Sequence, residues 1–363
     1  MNGVPMARGP YNNLPSHRFW RAAVSSVPPF AVDPIVSNPF TIGAADRVAS
    51  AGSCFAQHVA KRLQASGYVY YVPESAPAGL PAGEAAQRNF GVFSCRYGNI
   101  YTTAQLRQTF DRAFGRLTPQ IDAWTRSDGR IVDPYRPLIE PGGYETIEAM
   151  HAARDEHLRH VREMFERLDV FVFTLGQTEH WRARADGVVV PVAPGVSGGE
   201  FDESTFEFHN ARTTEALGDM LTFIDSLRAI NPRSRVILSV SPVSLLATYE
   251  DRHALVANCY TKSALRVVAE EVCLARPNIA YFPSYEIITA PFNAARAFAE
   301  DQREVTDVGV EMAMKTFFAH FTEGARQGTE KGSGRFQSAT FDAASEFASA
   351  SRVVCDETAI EGP

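Results

Sequence analysis

Apolar positions along this chain follow two spacings in alternation. Short runs rich in β-branched and aromatic residues recur at Arg47–Ala51, Tyr68–Val72, Asp169–Leu175, Arg235–Ser241 and Ile279–Ser284. Between them the apolar residues recur every third or fourth position, as at Phe55, Val59 and Leu63. That spacing predicts helices after the first run, over 104–114, over 146–168, over 213–229, over 259–275 and over 307–321. The run Asp169–Leu175 is almost continuously apolar, as expected of a strand covered on both faces of a parallel sheet. Strand and helix in alternation predict βαβ units and an α/β fold with a central parallel sheet.

Around this core lie three other stretches. Residues 1–40 carry repeated prolines and read as an irregular lead-in, with a short helix expected over Ser16–Val24 and capped by Ser16. An insertion after the second run holds Asn89–Thr103 and a turn-rich Asp133–Gly143. Residues 324–363 are rich in Gly, Ser and Ala and are expected to form a disordered tail, which leaves 41–323 as the folded domain.

The residues just past each strand narrow the function. Gly52-Ser53-Cys54 closes the first, Gly176-Gln177-Thr178-Glu179-His180-Trp181 the third, Ser241-Pro242-Val243 the fourth and Pro283-Ser284-Tyr285-Glu286 the fifth. Doubly wound sheets bind ligands at the carboxyl ends of their strands. Four polar strand ends favour a site there.

Composition removes several classes. A formal charge of -7 without any Lys/Arg-rich run argues against a nucleic-acid partner. Five cysteines without C-x-x-C spacing fit a reducing compartment, no signal peptide is evident, and no run reaches membrane-spanning length. The expectation is a cytoplasmic protein without membrane contact, whose oligomeric state the sequence leaves open. No His/Cys/Asp cluster has metal-ligand spacing, and nothing calls for a cofactor.

The chemistry then turns on Gly52-Ser53-Cys54. A thiol at a helix N-terminus faces unpaired N–H groups and the positive end of the helix dipole, which favour the thiolate. Cys54 is therefore the first candidate nucleophile and Ser53 the second, the alternative being small residues buried in a tight turn. His253, in the loop after the fourth strand, and His180, beside Trp181, are candidate bases. Each could instead cap a helix or lie on the surface. Glu250 or Asp251 could orient His253, and Glu179 could itself act as the base or accept backbone N–H bonds in its turn. Gln177, Thr178 and the N–H of Cys54 are candidate oxyanion donors, and Glu286 is a candidate substrate contact.

Gly52-Ser53-Cys54-Phe55-Ala56 resembles the motif for which the GSCFA family is named. FWRAAV, FGVFSCRYGNIYT, FTLGQTEHW, SPV, YTKSALR and YFPSYEI also look like segments of that family, in its order, over residues 16–321. The family groups with the SGNH, or GDSL-type, hydrolases. This resemblance implies a three-layer, flavodoxin-like fold with strand order 2-1-3-4-5. It places Cys54 where those enzymes carry their serine and Ser53 where they carry an aspartate. Gly98, or else Gly91, with Asn99 beside it, takes the place of the oxyanion glycine, and Thr178 that of the oxyanion asparagine. The closing Asp-x-x-His block corresponds to Asp301-Gln302-Arg303-Glu304, with Glu304 where the base should stand. The expectation is an acyl-ester hydrolase acting on a small-molecule or glycan acyl substrate, such as an acylated sugar. The alternatives are an acyltransferase with a thioester donor, or a carbohydrate- or acyl-binding module that has lost its base.

Overall fold

The computed structural model describes residues 9–323, except the side chains of residues 294 and 295. The expected tail, 324–363, lies outside the described residues. The first half of the chain contributes β1 (Val48–Gly52), α1 (Cys54–Ala65), α2 (Ala82–Gln87), α3 (Thr103–Ala113), β2 (Trp124–Thr125), β3 (Ile131–Val132) and α4 (Ile147–Arg167). Then come β4 (Val170–Leu175), β5 (Glu179–Ala183), β6 (Val189–Val190), β7 (Phe206–Asn210), α5 (Thr213–Ile230) and β8 (Arg235–Val240). The last are α6 (Ala254–Ala275), β9 (Ile279–Phe282), α7 (Ser284–Thr289), α8 (Ala294–Ala297) and α9 (Asp307–Phe321).

β1, β4, β8 and β9 form a parallel sheet in the order β1-β4-β8-β9. Alternate residues of each strand enter two separate cores, as a doubly covered sheet requires. Phe171, Phe173 and Leu175 pack with Phe110 of α3, Phe165 of α4, Phe223 of α5 and Val268 of α6. Val170 and Val172 pack with Phe55 and Val59 of α1, Ile288 of α7 and Phe317 of α9. The sheet is the middle of three layers.

The expected second strand is the point of departure. Of Tyr68–Val72, only Tyr70 forms a bridge, to Val48. Further along β1 the main-chain groups of Ser50 find side-chain partners instead. Its N–H donates to Ser94 Oγ (3.0 Å), and its carbonyl accepts from the Tyr97 hydroxyl. The insertion thus takes the edge that a fifth strand would have covered, which leaves four strands.

The lead-in is also unlike its expectation. Ser16–Arg18 is a 3₁₀ turn following Pro15, and Arg21–Ser25 is a π turn, in place of one helix capped by Ser16. A second, antiparallel sheet, β6-β5-β7, begins with β5, which only three residues separate from the end of β4. No helix among the described residues is long and apolar enough to cross a membrane.

Candidate functional site

The turn from β1 into α1 is built on a glycine. Gly52 has φ +145° and stands opposite Thr174 of β4. A Cβ there would lie 2.6 Å from the Thr174 carbonyl oxygen and 2.8 Å from its nitrogen. Only a residue without a side chain fits. The close approach lets Ser53 N–H donate to the Thr174 carbonyl (3.2 Å), so that α1 starts at once with Ser53 as its N-cap residue and Cys54 as its first helical residue. Both are buried, at 2% and 4% exposure, and the Cys54 thiol is not in a disulfide. Ser53 Oγ is buried without a hydrogen-bond partner among the described residues.

Three neighbouring segments close on this turn. Gly98, at φ +70°, turns the insertion so that Ile100 N–H donates to the Gly52 carbonyl (2.8 Å). Asn99 is 2% exposed; its Oδ1 accepts from Gln57 Nε2 of α1 (3.0 Å) and its carbonyl accepts from Gln105 Nε2 (2.9 Å). Gly176, just past β4, packs so closely that a Cβ there would lie 3.0 Å from Ser53 Cβ and 3.0 Å from the Tyr101 carbonyl oxygen. The N–H groups of Gly176 and Gln177 donate to that oxygen (3.0 and 3.1 Å). From α6, Lys262 Nζ donates to the Gly176 carbonyl (2.7 Å), although the lysine is only 2% exposed. Its neighbour Thr261 meets Thr178 Oγ1 at 2.8 Å, and Thr178 Oγ1 donates to Asn210 Oδ1 (2.6 Å).

The structure therefore gathers Ser53, Cys54, Gly98, Asn99, Gln177 and Thr178 around one edge of the sheet. The remaining candidates are engaged elsewhere. His253 is exposed and N-caps α6, its Nδ1 accepting from Leu255 N–H (3.2 Å). His180 lies in β5, its Nδ1 at 3.2 Å from the Thr178 carbonyl and its ring 5.2 Å from that of His209; burial lowers its pKa to about 4. Glu179 accepts from Thr248 Oγ1 (2.8 Å) and from Tyr249 N–H (3.3 Å), and burial raises its pKa. Glu286, in α7, accepts from Arg266 Nε and the Tyr281 hydroxyl (2.8 Å each). Glu304 is exposed in a turn where Asp301 Oδ1 accepts its N–H (3.0 Å). Glu250 accepts from Asn210 Nδ2 (2.8 Å), and Arg252 pairs with it.

Lys262, Gln57 and Gln105 are site neighbours that the sequence reading passed over. Lys262 had a visible signal. It falls on the inward stripe of α6 among Ala257, Thr261, Leu265 and Ala269, where a surface lysine does not belong. Among the described residues no group of three or more His, Cys, Asp or Glu side chains could hold a metal ion.

Fold and site define the class first. This is a three-layer α/β protein whose polar site lies at the carboxyl ends of a parallel sheet, against a cysteine at a strand-to-helix turn. The chain belongs to the GSCFA family, whose model matches residues 47–317. No curated protein matches it. One similar solved structure is the crystal structure of an acetyl esterase mutant with an acetate ion. It is 11% identical, covers 78% of this chain and 97% of its own, and superposes with a TM-score of 0.31, a likeness too weak to speak for the reaction.

Proposed function

We propose that this protein is an acyl-ester hydrolase whose nucleophile is the Cys54 thiol. The observation that carries this reading is the Gly52–Cys54 turn. It sets a buried thiol on the first residue of a twelve-residue helix, at the positive end of that helix's dipole. Such a thiol attacks an ester carbonyl; the sulfur–carbon bond forms and the alcohol leaves. The Cys54 N–H, the Gly98 N–H and the Asn99 amide are the proposed donors to the oxyanion. Gln57 holds the Asn99 amide by its oxygen and so turns Nδ2 away from itself. Lys262 fixes the Gly176 wall of the same site. Water then attacks the thioester and frees the acid.

An acylated sugar or glycan is the proposed substrate. Beyond Glu179, Trp181 packs edge-on against Phe201 (5.0 Å) and Tyr249 (4.7 Å), and Tyr249 is 62% exposed. Amphipathic aromatic surface of this kind suits the apolar faces of sugar rings. A second reading, acyl transfer from a thioester to a hydroxyl acceptor, is favoured by the 4% exposure of Cys54, since a nearly closed thioester is shielded from water.

The test is turnover of short-chain esters and thioesters, with and without sugar acceptors. Cys54→Ala should be inactive and Ser53→Ala should keep partial activity. A dead Ser53→Ala beside a working Cys54→Ala would move the nucleophile by one residue. Sugar binding without turnover by the parent would replace the enzyme with a binding module.

A further inference from the structure

The expected bases are engaged at other partners, Thr178, Thr248 and Leu255, while an imidazole stands on the nucleophile's own helix. His58 lies four residues after Cys54 in α1. At that spacing two side chains are neighbours on one face, with Cβ atoms about 5–6 Å apart. Helical side chains also tilt toward the N-terminus, so a side chain at position 58 covers the preceding turn of α1, the turn that holds Cys54 and Phe55. His58 is half-buried and packs on Phe55, with ring centroids 5.7 Å apart. Phe55 itself is fixed in the core below α9.

The charges around this ring come from two elements. On α1, Lys61 and Arg62 disfavour a protonated His58; from α9, Asp307 favours it. Burial acts with the two cations and lowers the pKa of His58 to about 4. At neutral pH the ring is therefore the free base, the form that can accept a proton. The Ser53 hydroxyl at the same turn is buried without a hydrogen-bond partner among the described residues, a polar group that the folded chain leaves unsatisfied beside Cys54.

The geometry points to His58 as the group that takes and returns the proton during acyl transfer at Cys54, with Asp307 as a positioning charge at the start of the last helix. This rests on the reading of Cys54 as nucleophile. In the first half-reaction the sulfur bonds to the acyl carbon and its proton passes to His58. The carbon–oxygen bond of the ester then breaks, and His58 returns the proton to the departing alkoxide. In the second half-reaction water adds its oxygen to the acyl carbon and gives a proton to His58. The sulfur–carbon bond breaks, and His58 returns that proton to the sulfur. No oxidant or further reactant is needed.

The experiment tracks the acetyl group on the full chain after mixing with p-nitrophenyl acetate, by intact and peptide mass at a series of pH values. The parent should form acetyl-Cys54 and clear it. His58→Gln should clear it about 100-fold or more slowly, the range of a lost general base. The parent's clearance should rise with pH through about 4 and then level. Asp307→Asn removes the charge that favours protonation and should move this inflection down; Lys61→Met should move it up. A merely structural role for His58 would leave the inflection in place. If His58→Gln clears acetyl-Cys54 at the parent rate, or His253→Ala stalls instead, the assignment to His58 is overturned while Cys54 stands. If the parent never carries the acetyl group on Cys54, the nucleophile reading fails first, and the His58 assignment falls with it.

Discussion

Substituting Gly52 by alanine tests whether the site depends on the close approach of β1 to β4. The added methyl would meet two main-chain atoms of Thr174, at 2.6 and 2.8 Å, so no side-chain rotation can relieve it. Moving the turn away would stretch the Ser53 N–H bond to Thr174 that starts α1. The φ of +145° adds backbone strain of about 1–3 kcal/mol for any residue with a Cβ. Overpacking adds about 1–3 kcal/mol more. Together these give a loss of about 2–6 kcal/mol, a large share of the roughly 5–15 kcal/mol that holds a domain folded. With a urea slope of about 3 kcal/mol per M, the midpoint should fall by about 0.7–2 M. Gly67→Ala is the matched control: it has φ +81° but open space where the methyl would go. It should lose only the backbone part, about 1–2 kcal/mol. Urea unfolding monitored by circular dichroism compares the two. Equal losses would refute the argument from the Thr174 contact.

Two further outcomes concern stability. His157 and Glu74 form a buried pair, Nδ1 to Oε2 at 2.7 Å, in which burial holds His157 down to about 4; against Glu74's own burial, His157 and then Arg136 hold Glu74 at about 2. Both groups keep fewer protons in the folded chain than in the unfolded one. Stability should therefore fall as pH drops from 6.5 to about 4 through His157, and from about 4.5 to 2 through Glu74. Urea midpoints against pH should show this, and His157→Gln should flatten the upper part; an unchanged slope would contradict it. Thr178→Val leaves Asn210 Oδ1 and Thr261 Oγ1 without their buried partner and should cost about 1–3 kcal/mol, read from the same urea curves.

The four sheet strands were legible because burial on both faces leaves unbroken apolar runs, as in Val170–Leu175. The edge was not. Tyr68–Val72 has the composition of a strand, but Ser94 and Tyr97, some 25 residues on, take the Ser50 main-chain groups it would have bonded. β5 escaped notice because Glu179, His180, Trp181 and Arg182 show no apolar alternation; β6 and β7 place it through pairing. α6 begins at Ala254 rather than 259, since the exposed Leu255 and Val256 carry no amphipathic signal and the start is set by the His253 cap. At the site, the turn and its glycine were readable in the sequence, whereas the partners of Asn99, Gly176 and Thr178 are contacts between distant segments. The Cys54–His58 spacing was in plain view, but its meaning depended on Asp307 arriving from α9.

The central claim is that an acyl group passes through Cys54. The most direct measurement is to quench the parent protein in acid within the first turnovers on a short-chain thioester and to locate the added mass by peptide fragmentation. The account predicts an acyl group on Cys54, absent from Cys54→Ala. An acyl group on Ser53, or none on any residue while product accumulates, would contradict it.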